Sequence, residues 1–457
     1  MLGRLFMLSQ DTIVALSTPP GESALAVIRI SGCDCLRLMA EAFGHPTPPS
    51  PRRALLSCYQ DRSGRQWDEG LLCYFPAPSS YTGEDVLEYS CHGNVLIYNE
   101  IMSDLIRRGC RLAGPGEFTR RAFMSGKMDL TQAEAVADLI AARSEQALTC
   151  AQRQLGGDLG RRITAMQAAL LESLAALEAY IDFPEDDLPE EDAGGPLQAL
   201  TQLQAEVAAL LRAGRNQAHL NAGLNVVIAG PPNAGKSTLL NALLGHARAL
   251  VSDQPGTTRD YLTETLRVGP YAINLTDTAG LRLTDQTLEQ KGMDRTRDWL
   301  ARADIVIVVI DTTAPLTSAA ELNLAHFSPS ALLVLENKTD LPDSTSASAF
   351  FPEATHLRMA LARDPIEPVL DRLLRMIQAL SGGIGEETPA VNQRQAQALE
   401  QMLAALDAAQ ELLRQHAPTE LACAHLREAV DALGGVVGRI DNEAMLDKLF
   451  ARFCIGK

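Results

Sequence analysis

Apolar residues change their spacing several times along the chain, and each change predicts a different kind of element. Over residues 1–125 the runs are short and β-branched. Ala24–Ile30 and Val86–Tyr89 predict strands, and Pro- and Gly-rich turns (Pro19-Pro20-Gly21, Pro46 to Pro51, Pro76 to Pro78) separate the elements. From Thr131 to about Tyr180 apolar residues recur every three or four positions, which predicts helix. Thr131-Gln132-Ala133-Glu134 predicts a capping box with Thr131 as N-cap, and Gly156-Gly157 predicts a break into two helices. Asp182–Asp192, with seven acidic residues of eleven and two prolines, predicts a solvated connection before a further helix over about 197–220. In Asn221–Ser381, short runs alternate with helical stretches: Asn225–Ala229, Ile273–Thr276, Asp304–Ile310 and Leu332–Leu335. That is the rhythm of a largely parallel sheet. Helical spacing returns over Asn392–Leu449.

These patterns predict an α/β multidomain chain. Residues 1–125 form an α/β domain, 126–220 the first part of a helical domain, 221–381 an inserted α/β domain, and 382–457 the second helical part. The two helical parts should pack together.

Charge narrows the possible partners. The 457 residues carry a formal net charge of −17. An acidic chain repels phosphate backbones at long range, so contact with nucleic acid requires a local basic patch or a partner protein. Arg107, Arg108, Arg111, Arg120, Arg121 and Lys127 form a loose basic cluster that reads either as such a patch or as a solvated face. The nine cysteines include no CxxC pair and no zinc spacing, which points to reduced thiols and a cytoplasmic location. No apolar run reaches the roughly 18 residues of a membrane span, and Leu5-Phe6-Met7-Leu8 is too short for a signal segment.

The chemistry is concentrated in the inserted domain. Gly230-Pro231-Pro232-Asn233-Ala234-Gly235-Lys236-Ser237 fits GxxxxGK[ST] between a predicted strand and the helical run beginning at Thr238. Backbone N–H groups of such a loop wrap phosphates. Lys236 would reach the β- and γ-phosphates, and Ser237 would ligate Mg²⁺. Three further elements follow in order. Gly256-Thr257-Thr258-Arg259-Asp260 offers Thr258 as second Mg²⁺ ligand. Asp277-Thr278-Ala279-Gly280 ends a strand near the metal and the γ-phosphate. Asn337-Lys338-Thr339-Asp340 ends another strand, and its Asp340 carboxylate can accept both N1–H and N2–H₂ of guanine. Adenine has neither donor, so the nucleotide read from this pattern is GTP. A fifth base-contacting segment is weak, with Met359-Ala360 in its place. After Asp277-x-x-Gly280 stands Leu281, which cannot orient water. Either the protein is a slow switch, or Asn233 holding a monovalent cation and Glu289 orienting water supply the missing catalysis.

The whole chain then resembles the MnmE/TrmE family of tRNA uridine-34 modification GTPases. Carrying the resemblance are Asp11–Ala15, Thr82–Glu88, Pro115–Phe123, Lys127–Leu130, Asp182-Phe183-Pro184-Glu185 and the terminal Arg452-Phe453-Cys454-Ile455-Gly456-Lys457. It implies an N-terminal α/β folate-binding and dimerisation domain and an all-helical middle domain interrupted by a Ras-like P-loop G domain. It also implies a homodimer and a flavin-dependent partner protein, together forming a heterotetramer that modifies C5 of the wobble uridine of tRNA. Carried over by position, Asn233, Ser252, Gln254 and Thr257 would hold K⁺, and Ser237 and Thr258 would hold Mg²⁺. Thr238, Asp253, Pro255 and Gly256 would join the phosphate loop, the DTAG run and the NKxD run around GTP, with Glu289, Asn233 and Lys236 catalytic. Arg29, Glu88, Lys127 and Lys457 would hold a tetrahydrofolate derivative (the 5-formyl or 5,10-methylene form). Cys454 is either a nucleophile or a packed thiol. Two other readings stay open. One is a ribosome-assembly GTPase, for which Gly435-Val436-Val437-Gly438 would be the loop of an RNA-binding KH module. The other is a pure nucleotide switch.

Overall fold

Six strands of the N-terminal part pair around β2, Ser23–Ser31: β1 Ile13–Leu16, β3 Leu55–Gln60, β4 Gln66–Phe75, β5 Val86–Gly93 and β6 Arg111–Leu112, in the order β3-β4-β5-β2-β1-β6. The structure is a computed structural model. It describes residues 11–182, 194–246, 263–277, 299–314, 328, 331–342, 351–380, 389, 391–438, 443–451 and 453–456. The chain divides into two compact units, Met1–Ala137 with Gln154–Ala175 and Leu426–Lys457, and Asp138–Arg153 with Ala176–His425.

In the first unit, alternation along the strands sends Ile28, Ile30, Leu72, Leu87 and Tyr89 to one face. Helices α1 (Cys35–Phe43) and α2 (Val95–Arg107) cover that face with Leu38, Met39, Phe43, Ile101 and Leu105. On the other face Ile13 and Ala15 pack with Phe118 of α3, Glu117–Met124. Helix α4 (Leu130–Ala141) buries Leu130, Ala133 and Val136 against Leu446 and Phe450 of α12 (Glu443–Phe450) and against Phe453.

The start of α4 corrects the sequence reading. Asp129, not Thr131, is the N-cap. Its carboxylate accepts from Gln132 N at 2.9 Å, and the Gln132 side chain accepts in return from Asp129 N at 3.0 Å. Thr131 is buried in the first turn and donates to the same carboxylate at 2.6 Å. A carboxylate is the stronger acceptor at this dipole end, so the reciprocal box forms two residues earlier. The predicted break falls between α5 (Glu145–Leu155) and α6 (Asp158–Asp182), and a second break at 142–144 was not signalled. The acidic connection that follows lies mostly outside the described residues.

In the second unit α7 (Gly194–Ala222) and α10 (Gln393–Arg414) pack side by side, as expected of the two helical parts. Their Gln204 and Asp407 side chains hydrogen-bond. Between them in sequence lies a second six-stranded sheet. It is built from β7 Leu224–Ala229, β8 Thr263–Val268, β9 Tyr271–Asp277, β10 Ile305–Asp311, β11 Leu332–Asn337 and β12 Thr355–Arg358, in the order β12-β11-β10-β7-β9-β8. All neighbours are parallel except β8 and β9. The middle strands β10 and β11 are almost continuously apolar and buried, as parallel strands covered on both faces must be. Helices α8 (Lys236–His246) and α9 (Glu367–Leu380) contribute to one of those layers. Finally, Gly435–Val437 close helix α11 (Thr419–Val437), so this stretch is helix and not the loop of an RNA-binding module.

Candidate functional site

The phosphate loop joins β7 to α8, which puts its glycines at the carboxyl edge of the second sheet. Asn233 (φ 62°) and Gly235 (φ 107°) hold left-handed backbone. Such alternation turns successive N–H groups toward one side and forms an anion nest. At Gly235 a Cβ would stand 2.2 Å from Nδ2 of Asn337, so only glycine lets that side chain approach. Lys236 is buried, and its Nζ donates to the carbonyls of Gly230 (2.9 Å) and Pro231 (2.6 Å), folding the ammonium back over the loop. Ser237 and Thr238 are exposed in the first turn of α8. These features fit a nucleotide phosphate and its Mg²⁺: backbone donors, one lysine and one hydroxyl converge at a helix N-terminus.

The Asn-Lys-x-Asp strand end, where the sequence places base recognition, is tied to the phosphate loop by one residue. Asn337, at the end of β11, is 4% exposed. Its Nδ2 donates to Ala234 O at 2.8 Å and its Oδ1 accepts from Leu361 N at 2.9 Å. Lys338 forms an ion pair with Asp311, which ends β10. Burial works to raise the Asp311 carboxyl, but the bonds from Lys338 and Thr313 outweigh it and hold the group below the ordinary carboxylate range. Asp340 follows on the turn, 3.4 Å from Arg363 Nε. The Met359-Ala360 segment leaves β12 beside Asn337, so position supplies a fifth element where composition is weak. Asp277 closes β9, next to β7. Ser252, Asp253, Gln254, Pro255, Gly256, Thr257, Thr258, Thr278, Ala279, Gly280 and Glu289 lie outside the described residues. Sequence reasoning missed Asp311, Thr312, Arg363 and Asp364. Thr312 Oγ1 donates to Asn337 O at 3.1 Å, and the Asp-Thr-Thr run after a buried strand was the available signal.

A second cluster sits in the first unit. Arg29 Nε and NH2 both reach Glu88 Oε1 at 2.8 Å, across the pairing of β2 with β5. The guanidinium lies 5.6 Å from the ring centroids of Tyr81 and Phe118. The C-terminal tail runs onto this spot. Ile455 pairs with Pro115, and Gly456 O accepts from Arg29 NH1 (3.2 Å) and Ser17 Oγ (3.2 Å). Lys127 Nζ donates to Pro78 O at 2.9 Å, on the loop that carries Tyr81. Lys457 lies outside the described residues, and Cys454 is exposed. A carboxylate beside a cation and two rings suits a flat ligand with an amide-amidine edge, so the donor set fits a pterin.

The basic cluster is not a free patch: two of its arginines are buried and paired, while Arg107 and Arg111 are paired and exposed. Arg108 (7% exposed) donates to Asp104 at 2.7 Å. Arg121 (6% exposed) reaches Asp11 at 2.7 Å, Glu84 at 3.0 Å and Glu117 at 3.2 Å. Arg111 pairs with Asp11 and Glu117, Arg120 with Asp447 and Arg107 with Glu100. Carboxylates both near in sequence (Asp104, Glu117, Glu100) and distant (Asp11, Glu84, Asp447) pair with its arginines. Among the described residues no group of three or more His, Cys, Asp or Glu could hold a metal, and no helix is long and apolar enough to cross a membrane.

A glycine loop between β7 and α8, linked through Asn337 to an Asn-Lys-x-Asp turn, has the architecture of a P-loop guanine-nucleotide-binding protein of the GTPase class. Residues 12–127 match the family described as GTP-binding protein TrmE N-terminus, and residues 130–454 match the MnmE helical domain. Proteins named tRNA modification GTPase MnmE are 43% identical in Opitutus terrae (98% of this chain and 99% of that protein) and 37% identical in Aquifex aeolicus (98% and 100%). This chain belongs to the MnmE family of tRNA modification GTPases.

Proposed function

We propose that the chain hydrolyses GTP with help from K⁺ and uses the cycle, with a flavin-dependent partner, to build the C5 substituent of the wobble uridine of certain tRNAs. The observation that carries this reading is the Asn337 joint, because it couples a phosphate nest to a carboxylate suited to guanine. When bound, Mg²⁺ would neutralise phosphate charge from Ser237 and Thr258. Asn233 would offer its side-chain oxygen to K⁺, with Ser252, Gln254 and Thr257 completing that set and Glu289 orienting water. Lys236 would leave the loop carbonyls for the phosphates. Arg29, Glu88, Lys127 and Lys457 would hold the folate that supplies the one-carbon unit, in a homodimer working in the cytoplasm. The 1–125, 126–220, 221–381 and 382–457 divisions are the domains of this reading.

The test is turnover. GTP hydrolysis should run at least about tenfold faster in K⁺ than in Na⁺, the scale of one lost electrostatic stabiliser. Glu289→Ala should keep GTP affinity and lose most of kcat. Equal rates in the two salts would remove the K⁺ role, and full turnover in the variant would remove Glu289. Mass analysis of wobble uridines in cells with and without the gene tests the tRNA step.

A further inference from the structure

Two neighbouring side chains sit on the groups that a guanine base would use. Asp340, the base-reading carboxylate, is 3.4 Å from Arg363 Nε. The backbone N–H of Ala360, in the fifth segment, donates to Asp364 Oδ2 at 2.6 Å. Arg363 N and Asp364 N both donate to Ala360 O at 2.8 Å, so a single tight turn carries both side chains back over the segment they came from. The segment is fixed at its other side by Leu361 N on Asn337 Oδ1.

The chemistry of this pair matches one edge of guanine. That edge presents N–H donors at N1 and N2 and an acceptor at O6. Arg363 sets its guanidinium charge against Asp340, and Asp364 presents an acceptor to Ala360 N–H. Resting on the guanine-nucleotide reading above, we propose that Arg363-Asp364 is a built-in surrogate for the base, occupying the base-reading groups until a guanine nucleotide displaces it. The turn also satisfies Ala360 N–H, a buried residue's amide that would otherwise be open when no base is bound. Both displaced side chains have somewhere to go: Asp364 is exposed and Arg363 is 73% exposed, so each can return to water on release.

The surrogate makes guanine compete with an intramolecular ligand. Apparent affinity is then reduced by the fraction of molecules in which the groups are covered, and release of product is assisted by the returning pair. Adenine gains nothing from the displacement, because its 6-amino group cannot accept from Ala360 N–H. The pair therefore lowers the affinity for guanine and narrows its margin over a base that has no acceptor for Ala360 N–H.

The experiment measures GDP, ADP and 2-aminopurine riboside diphosphate binding to wild type, Asp364→Ala and Arg363→Ala, with GDP release followed by stopped flow. The 2-aminopurine analogue keeps the 2-amino group and lacks both the 6-oxo group and the N1–H. Asp364→Ala is expected to bind GDP about threefold to tenfold tighter with slower release, the net scale of one ordinary hydrogen bond removed from the competing state, since the Asp364 carboxylate is exposed to water. Its affinity for the 2-aminopurine analogue should stay unchanged. Arg363→Ala should tighten GDP by about twofold to threefold, as for an exposed ion pair. Weaker or unchanged GDP binding in Asp364→Ala would mean that the carboxylate only staples the turn, and would overturn the surrogate. Equal tightening for GDP and the 6-deoxo analogue would overturn it as well. Wild-type protein that fails to prefer GDP over ADP would instead remove the guanine-nucleotide reading itself.

Discussion

Replacing Asn337 by alanine breaks the joint on which the nucleotide site depends. Two hydrogen bonds disappear, one to Ala234 O and one from Leu361 N. Ala234 is fully buried and Leu361 is 7% exposed, so a carbonyl and an amide N–H are left in largely apolar surroundings. Each unmet buried backbone group costs about 1–3 kcal/mol. Water entering the vacated space can satisfy part of this, so the expected loss of stability is about 2–4 kcal/mol. Asn337→Asp sharpens the test. It keeps an acceptor for Leu361 N–H but sets a carboxylate oxygen against the Ala234 carbonyl, so it should cost at least as much as alanine. The chain has two tryptophans, and Trp299 packs against the β7, β10 and β11 layer. Urea unfolding followed by Trp299 fluorescence in a Trp67→Phe background reads this domain alone. A loss below about 1 kcal/mol in the alanine variant, or an aspartate variant as stable as wild type, would refute the reasoning.

Further outcomes follow from the first unit. Burial works to raise Asp11 and Glu117, yet bonds and charge from Arg111 and Arg121 outweigh it, and both carboxyls end below their ordinary values of 3.8 and 4.5. Lowered carboxyls contribute stability that is complete above those values and is lost as pH falls below them, so thermal unfolding of this unit should drop between about pH 5 and pH 3. Arg121→Met should cost about 2–4 kcal/mol at pH 7, less than for a fully buried network because Asp11 is partly exposed, and should flatten that acid slope; an unchanged slope would exclude the network as its source. Gly456→Ala should lift the tail, since φ there is +97° and a Cβ would stand 2.6 Å from Leu16 O. Carboxypeptidase should then release the last residues several-fold faster, and an unchanged rate would mean the tail is held elsewhere.

Locally encoded features were legible from sequence. The phosphate loop needs glycines at fixed offsets, and β10 and β11 announce themselves as unbroken apolar runs. The strand β4 was missed because Gln66, Asp68 and Glu69 interrupt its first half, where the alternation is hidden. The cap of α4 was misplaced because Thr131 and Glu134 fit a short template that a neighbouring aspartate satisfies better. The fate of the arginines was invisible for a different reason. Arg121 meets Asp11 across 110 residues and Arg120 meets Asp447 across 327, and spacing along a chain carries no signal for such pairs. The same holds for the turn that returns Asp364 to Ala360, where the residues are close in sequence but the pairing depends on a backbone reversal.

The docking of Gly456 on Arg29 joins residues 427 positions apart. A ribosome delivers them far apart in time. The strands of the first sheet can close early, but the surroundings of Arg29 and Glu88 are finished only when the segment carrying Gly456 has been made. A prematurely stopped product would carry an intact nucleotide fold and an unfinished arginine corner.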